Sequence, residues 1–433
     1  MTLFDLENTA LTCQIPLEEV FNAYYECRRH KRRTVNALAF ELDFEHELIR
    51  LWKEINTNKY KIGRSIAFII KHPVQREVFA ANFRDRIVHH LVISKINHLF
   101  EEEFSPTSYS CREGKGVLYG VKNTKSQMQE CSENYTKDCY ILKLDIRSFF
   151  MSINKSILYQ RLHIFISEKY HKPDKPILLR LIKQIVFYAP ENNCIIKGKW
   201  ADWNGLPCYK SLFWSEGNCG LPIGNLTSQI FANFYLTSLD KYVTETLSIK
   251  HYGRYVDDFI LMHQDKQTLI DAHKKIKNFL FCDLKLHLHP QKVYLQHYSK
   301  GVKFIGSVIK PHCIYIGKRS KNNLYNKIYT LLPKMANSVQ DTLDLLQHFT
   351  SSINSYIGFM RHYNTYNLRC KITKLLETTF LNNILVQAPD ALKITVHKSF
   401  TEKELKKRQL RRQKQYRKKQ AKKHLQEKTY GLV

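Results

Sequence analysis

The sequence predicts an α+β protein, on three observations. Apolar residues recur at helical spacing from Leu17 to Asn56 and again, in several helices, from Lys318 to Asn383. Short β-branched and aromatic runs stand between them at 65–71, 140–144 and 252–262. A Gly-containing turn at 108–116 and a loop-rich stretch at 192–218 punctuate the middle. With 433 residues, 43% hydrophobic and 12% aromatic, the chain has enough apolar material for two or three domains, which excludes a disordered protein.

Charge narrows the partners. The formal net charge is +29; Thr401 to Lys428 hold 13 Lys and Arg against 3 Glu, a net +10, which leaves +19 elsewhere. The folded body is therefore basic as well as the tail, which points to a polyanion such as nucleic acid. Eleven cysteines without a Cys-x-x-Cys pair suggest reduced thiols; Cys194, Cys208 and Cys219 share a loop region, but their spacing does not match a zinc knuckle. Met1-Thr2-Leu3-Phe4-Asp5 lacks an export pattern and no run of about 18 apolar residues occurs, so a cytoplasmic protein without a membrane partner is expected.

From the N-terminus, Leu17 to Asn56 reads as two helices, with Val20, Ala23, Tyr24 and Cys27 on one buried face and Val35, Leu38, Leu42, Leu48, Leu51 and Ile55 continuing it. The Arg28 to Arg33 run between them suits either a solvated helix end or a nucleic-acid backbone contact. Ser65 to Lys71 and the stretch from Pro73 to Phe79 predict two strands, followed by a helix from Phe83 to about Phe104 that carries Arg84 in its first turn. Lys71 and Arg76 could grip a triphosphate, an ammonium and a guanidinium both complementing phosphate oxygens. Arg112 and Lys115, among the glycines of 108–116, could meet a phosphate, although the Walker spacing is missing.

Tyr140 to Leu144 reads as a strand ending at Asp145, and helices follow with Leu158, Leu162, Ile164, Leu178, Leu181 and Ile185 as core. After the loop with Trp200, Trp203 and Trp214, the segment Gly220 to Gln229 enters a helix through Phe231 and Phe234. Then comes His251 to Met262, two short strands with the Asp257-Asp258 pair at their turn. Adjacent carboxylates among apolar neighbours favour a divalent cation or a basic partner, or mark an ordinary acidic turn.

The ordered set of strand-Asp145, the Gly220 to Gln229 helix entry and Tyr255-Val256-Asp257-Asp258 resembles the reverse transcriptases, closely over Pro73 to Ile309. The resemblance implies a right-hand polymerase fold of fingers, palm and thumb, the palm an antiparallel sheet backed by helices. It implies metal binding by Asp145 and Asp257, with Ile146 and Asp258 beside them, and a 2′-hydroxyl filter at Phe150. Lys71 and Arg76 fall where the fingers hold the incoming dNTP, and Ile223, Gly224 and Gln229 at the helix entry. Lys292 matches a lysine that assists pyrophosphate departure, and Phe304 to Gly306 the primer grip. Arg84, Arg112, Lys115, Tyr255, Phe304, Gly306, Arg411 and Arg412 are the expected nucleic-acid contacts. Two Mg²⁺, or Mn²⁺, are the implied cofactors, and an RNA template, a DNA product and dNTPs the implied partners, with room for an accessory protein or a homo-oligomer.

The implied domains are an N-terminal helical extension (1–64), fingers (65–135), palm (136–310) with an insertion at about 186–219, helical thumb (311–388) and basic tail (389–433). No ribonuclease H cluster or endonuclease Cys/His set follows. Where most reverse transcriptases carry Gln-Gly-x-x-x-Ser-Pro, this chain has Ile223-Gly224-Asn225-Leu226-Thr227-Ser228-Gln229, a form similar to enzymes of diversity-generating retroelements, which copy adenines with errors. An antiphage-defence reverse transcriptase, also of bacterial or phage origin, is the alternative role, and a catalytically idle RNA-binding scaffold the alternative of another class.

Overall fold

Three helices precede the first strand: α1 (Leu17–Arg29), α2 (Val35–Glu41) and α3 (Phe44–Asn56). The computed structural model describes residues 14–29, 34–71, 74–337, 342–379, 384–386, 393–396, 401, 406–407, 409–411 and 413. Where the apolar spacing predicts two helices, the chain breaks twice, and Val35, Leu38 and Leu42 are 80%, 51% and 89% exposed rather than core. The short α2 turns Ala37 and Phe40 inward instead, Phe40 lying against Phe83 with ring centres 5.3 Å apart. Of the basic run that begins in the last turn of α1, Arg28 pairs with Glu41 and Arg29 with Glu26, while residues 30–33 lie outside the described part.

The chain divides into two units, Met1–Lys300 and Gly301–Val433. In the first, β1 (Ser65–Ile70) and β2 (Arg76–Ala80) form an antiparallel hairpin with Ile70 opposite Arg76. Helix α4 (Phe83–Glu103) starts at Asn82, whose side chain accepts from the Arg84 N–H at 3.1 Å, the expected way to satisfy an orphan helix donor. Next come α5 (Val117–Cys131), β3 (Tyr140–Asp145), α6 (Phe149–Ser152), α7 (Lys155–Lys169) and α8 (Lys175–Phe187). On α7 the buried stripe is Leu158, Leu162, Phe165 and Ile166, so Ile164 falls on the opposite side and is 49% exposed, not core.

The loop-rich stretch contributes β4 (Cys194–Ile196), which joins β1 in parallel. It is pinned to the hairpin by one buried carboxylate: Glu77 accepts from Trp203 Nε1 at 2.7 Å, Ser211 Oγ at 2.5 Å and the Leu212 N–H at 2.6 Å. Three donors on one buried acid satisfy it fully, the condition for burying such a group. Helices α9 (Leu226–Tyr235) and α10 (Thr237–Lys241) lead to β5 (His251–Tyr255), β6 (Asp258–His263), α11 (Lys266–Leu284) and β7 (Tyr294–His297).

The central sheet is antiparallel in the order β5-β6-β3-β7. Because side chains alternate along a strand, Leu142, Leu144, Phe259 and Leu261 share one face. That face packs on Ile230, Phe231 and Phe234 of α9 and Leu269, Ile276 and Leu280 of α11, within one large core. Asp145 and Asp258 occupy the other face, at its open end.

The second unit begins with a meander, β8 (Val302–Phe304), β9 (Ser307–Ile309) and β10 (Ile314–Ile316), followed by α12 (Lys318–Asn337), α13 (Thr342–Met360) and α14 (Tyr366–Thr379). Leu324, Ile328, Phe349, Ile353, Ile357, Ile372 and Leu376 form its core. A further antiparallel pair joins Ile384–Val386 to Ile394–Val396. Most of the basic tail, Arg412 included, lies outside the described residues, and so do the Leu332 and Leu343 side chains of the helical segment. Among the described residues no helix is long and apolar enough to cross a membrane.

Candidate active site

Sheet register places the acids. Asp145 ends β3 directly opposite Asp258, and Tyr255 of β5 lies opposite Asp258 on its other side. The carboxylates are expected together at the turn, but only Val256 and Asp257 form it; Asp258 already pairs in β6. A two-residue connection is the commonest one between antiparallel strands, since it matches their twist. The Ile146 N–H donates to the Asp257 carbonyl at 3.1 Å, so the end of β3 is tied to a turn remote in the chain.

Val256 carries the strain of that turn. Its φ of 57° is left-handed, a costly value for a β-branched residue. Both its backbone groups are held: its N–H donates to Ser110 Oγ at 3.2 Å and its carbonyl accepts from Arg254 Nη1 at 3.2 Å. Arg254 is fully buried and bidentate on buried Asp240, Nε to Oδ1 and Nη2 to Oδ2 each at 2.6 Å. Tyr252 donates to Asp240 Oδ1 at 2.7 Å, and Arg254 Nη1 also reaches Asn233 Oδ1 at 2.9 Å. The strand edge of β5 is covered by residues 107–110, where the Tyr109 backbone N–H donates to the Arg254 carbonyl at 2.9 Å. Gly253 makes room for that cover: a Cβ there would sit 2.5 Å from the Tyr109 hydroxyl oxygen.

The site holds more negative charge than it can hydrate. Burial, then the neighbouring Asp145 carboxylate, pushes the Asp257 carboxyl up to about 6. Burial likewise raises Asp258 to about 6, against the Lys143 ammonium, which pulls it down. Two lysines act as counter-ions: Lys292 Nζ donates to both Asp145 oxygens at 2.9 and 2.8 Å, and Lys143 Nζ lies 3.0 Å from Asp258 Oδ2. Asp258 Oδ1 is buried with no hydrogen-bond partner among the described residues.

A folded-state pKa raised above the unfolded value favours the fold below the unfolded pKa, near 3.8, and that contribution is lost as pH rises through about 6. Metal-free protein is therefore expected to lose about 2 kcal/mol of stability per group between pH 4 and pH 7 relative to an Asp257→Asn, Asp258→Asn double variant. Thermal melts across that window check this; a constant difference between the two proteins would refute it.

The other predicted residues scatter. Lys71 and Arg76 are both exposed at the same end of the β1–β2 hairpin, where Lys71 pairs with Asp202 at 2.8 Å. Phe150 and Ile223 both pack partly buried against the small cluster of Ala67, Phe79 and Met151. The Ile223 carbonyl accepts from the Phe79 N–H at 2.9 Å, and Gly224, at φ 122°, admits β2: a Cβ would lie 2.7 Å from Val78 Cγ1. Gln229 is exposed on the first turn of α9, with Cys111 Sγ 3.6 Å from its Oε1. Tyr255 is half-buried beside the turn.

Several predicted nucleic-acid contacts are engaged inside the protein. Arg84 pairs with Glu54 and lies over the Tyr60 ring. Arg112 has a nearly buried side chain on Glu101 and donates to the Ser105 carbonyl at 2.7 Å. Both guanidiniums tie helices or turns together, because each finds a carboxylate within reach before it reaches solvent. Lys115 donates to the Pro106 carbonyl at 2.5 Å and faces Tyr119. Phe304, in the second unit, is buried in β8, so its ring is covered; Gly306 follows with φ 77°. Arg411 is exposed.

Sequence reasoning passed over Lys143, Arg254, Asp240 and Asn233. Lys143 leaves a readable trace, standing two residues before Asp145 and so on its face of the strand. The Arg254–Asp240 pair leaves none, since no helix or strand period joins the two positions. Among the described residues no three His, Cys, Asp or Glu side chains are grouped to hold a metal, neither Cys194, Cys208 and Cys219 nor Asp145, Asp257 and Asp258.

Protein YkfC of Escherichia coli is 23% identical over 295 residues, covering 61% of this chain and 69% of that protein. The putative COX1/OXI3 intron 2 protein of Saccharomyces cerevisiae is 22% identical over 323 residues, 61% of this chain but only 34% of its own length. Among solved structures, apo telomerase of Candida tropicalis truncated from its C-terminal domain is similar with a TM-score of 0.43 at 16% identity, covering 59% of this chain and 55% of that one. Telomerase of Candida albicans with a fragment of telomeric RNA gives 0.44 at 10% identity, covering 80% and 63%. Residues 74–309, more than half of the chain and the whole of the sheet that carries the three acids, match the pattern of one family, so this chain belongs to the reverse transcriptases (RNA-dependent DNA polymerases) and has their right-hand polymerase fold.

Proposed function

We propose that the chain copies a cognate structured RNA into DNA, adding deoxynucleotides to a primer 3′-hydroxyl at Asp145 and Asp257. One observation carries this reading: register sets Asp145 opposite Asp258, the Ile146 N–H ties the end of β3 to the Asp257 carbonyl, and the Asp257 carboxyl is pushed up by burial and by the Asp145 charge beside it. The orphaned Asp258 Oδ1 and the need for lysine counter-ions fit a site made for cations. Asp145 and Asp257, with the Ile146 main chain beside them, would hold Mg²⁺ or Mn²⁺; Asp258 stays on Lys143. Magnesium uses few protein carboxylates and completes its shell with water and phosphate. When bound, such cations lower the pKa of the primer hydroxyl and offset charge on the leaving pyrophosphate.

The chain's own residues do the rest. Lys292, half exposed, can turn from Asp145 to the departing pyrophosphate and donate to it. Phe150 presents an aromatic wall beside Ile223, the place for a ring that excludes a 2′-hydroxyl. Lys71 and Arg76 share the hairpin end and would hold the triphosphate, Lys71 exchanging Asp202 for phosphate. The 65–135 segment would then serve as fingers, 136–310 as palm and 311–388 as thumb.

The biological role we favour is diversification by error-prone copying, with antiphage defence as the second. It rests on Ile223, whose aliphatic side chain offers no hydrogen bond where an amide would constrain the nascent pair. Ile223→Gln is expected to lower misincorporation opposite template adenine about fivefold, the worth of one neutral hydrogen bond. Sequencing of the cDNA reads this directly; wild-type copies already faithful at adenine would discard the diversification role. Primer extension on RNA with Asp257→Asn as control tests the activity itself, and an RNA-binding chain that extends nothing with either metal would be a scaffold.

A further inference from the structure

Next to the first motif strand the fold leaves a second recess of about 620 Å³, within the roughly 300–1,000 Å³ of small-ligand pockets. One wall is the segment after Asp145, from Arg147 to Asn154; the loop-rich insertion supplies Tyr209 and Glu216; Phe281, Lys285 and His287 close it. Asp145, Asp257, Asp258, Phe150 and Ile223 do not line it, and it meets their surroundings only at Arg147, Ser148 and Met151, the last shared with the cluster that holds Phe150 and Ile223. A backbone hydrogen bond from the Arg147 N–H to the His287 carbonyl, 2.8 Å, holds two of the walls together.

The lining has two chemistries. Tyr209 and Phe281 are 47% and 54% exposed, with two cations beside the first ring and one beside the second. The Arg147 guanidinium lies 4.9 Å and the Lys210 ammonium 5.7 Å from the Tyr209 ring centre; the Lys285 ammonium lies 6.0 Å from that of Phe281. Unlike Lys71, Arg84 and Arg112, these cations form no ion pair among the described residues. Ser148 adds a third feature. It is left-handed at φ 50°, and its hydroxyl oxygen is buried without a hydrogen-bond partner among the described residues.

An apolar ligand would bury the cations unpaired, and a bare anion would leave both rings in water. A base linked to a phosphate meets both requirements, stacking on an aromatic face while its charge is matched. We propose that this recess is a second nucleotide site, with the base on Tyr209 or Phe281, phosphate between Arg147 and Lys285, and the Ser148 hydroxyl as a polar contact. The nucleotide is either free or one unit of a single strand; the polymerase reading bears only on where it comes from.

Photo-crosslinking of the full chain with 8-azido-AMP, followed by peptide mapping, tests this. Label is expected on the peptide holding Tyr209 or Phe281, equally in wild type and in Asp257→Asn. Phe281→Ala and Lys285→Glu, exposed positions whose thermal melts report folding, are each expected to weaken labelling about tenfold, and Tyr209→Ala serves as a third variant. Competition by unlabelled AMP assigns a free nucleotide, and competition by short oligo(dT) alone a strand. Label confined to peptides of the β1–β2 hairpin or of Ile223, or labelling unchanged by all three substitutions in folded protein, overturns the proposal. Failure here with primer extension intact leaves the polymerase reading standing, and lost extension with label retained does the reverse.

Discussion

Asp257→Asn is expected to reduce primer extension on an RNA template by at least about a thousandfold while leaving the chain folded. The size follows from what the residue does. Under the proposed function Asp257 is one of two carboxylates that would hold a divalent cation, so its removal forfeits several kcal/mol of charge stabilisation in the transition state, and each 1.36 kcal/mol is about tenfold. The fold should survive because Asp257 is a turn residue whose carbonyl, not its carboxylate, accepts from Ile146. Removing the charge also relieves repulsion with Asp145, so the variant is expected to melt higher than wild type at pH 8 without metal. A variant that extends primers within tenfold of wild type would sink the assignment of this site.

Arg254→Leu is expected to destabilise the protein by about 3–5 kcal/mol, since it leaves Asp240 charged and unpaired in the core. Combining it with Asp240→Leu should recover much of that loss, because a buried pair replaced by apolar groups is often neutral. Activity should not follow stability. Arg254 also holds the Val256 carbonyl, and with it the left-handed backbone that aims Asp257. A misplacement near 1 Å costs about a hundredfold in rate. The double variant is therefore expected to be folded by chemical denaturation and still slow in single-nucleotide incorporation. Full activity in that variant would show that the turn is held without Arg254.

Much of this was readable in order along the chain. Strand periodicity places Asp145 at the end of an apolar run and Asp257-Asp258 between two others, and the helices of both units follow from apolar spacing. Errors arose where spacing is ambiguous about which face is inward. Val35, Leu38 and Leu42 sit at helical intervals along α2 and its C-cap, yet Ala37 and Phe40 pack, because the neighbours that choose the buried face, Tyr24 and Phe83, belong to other elements.

The sequence by itself determined which residues are acidic, in what order, and on what kind of local element, since strand and helix periods depend only on near neighbours. Only the tertiary structure decided which charges meet: Lys292 on Asp145, Lys143 on Asp258, Arg254 on Asp240, and Arg84 and Arg112 turned inward to Glu54 and Glu101. Those pairings depend on sheet register and helix packing between segments far apart in the chain. A charged side chain looks the same in the sequence whether it ends against a carboxylate or in water.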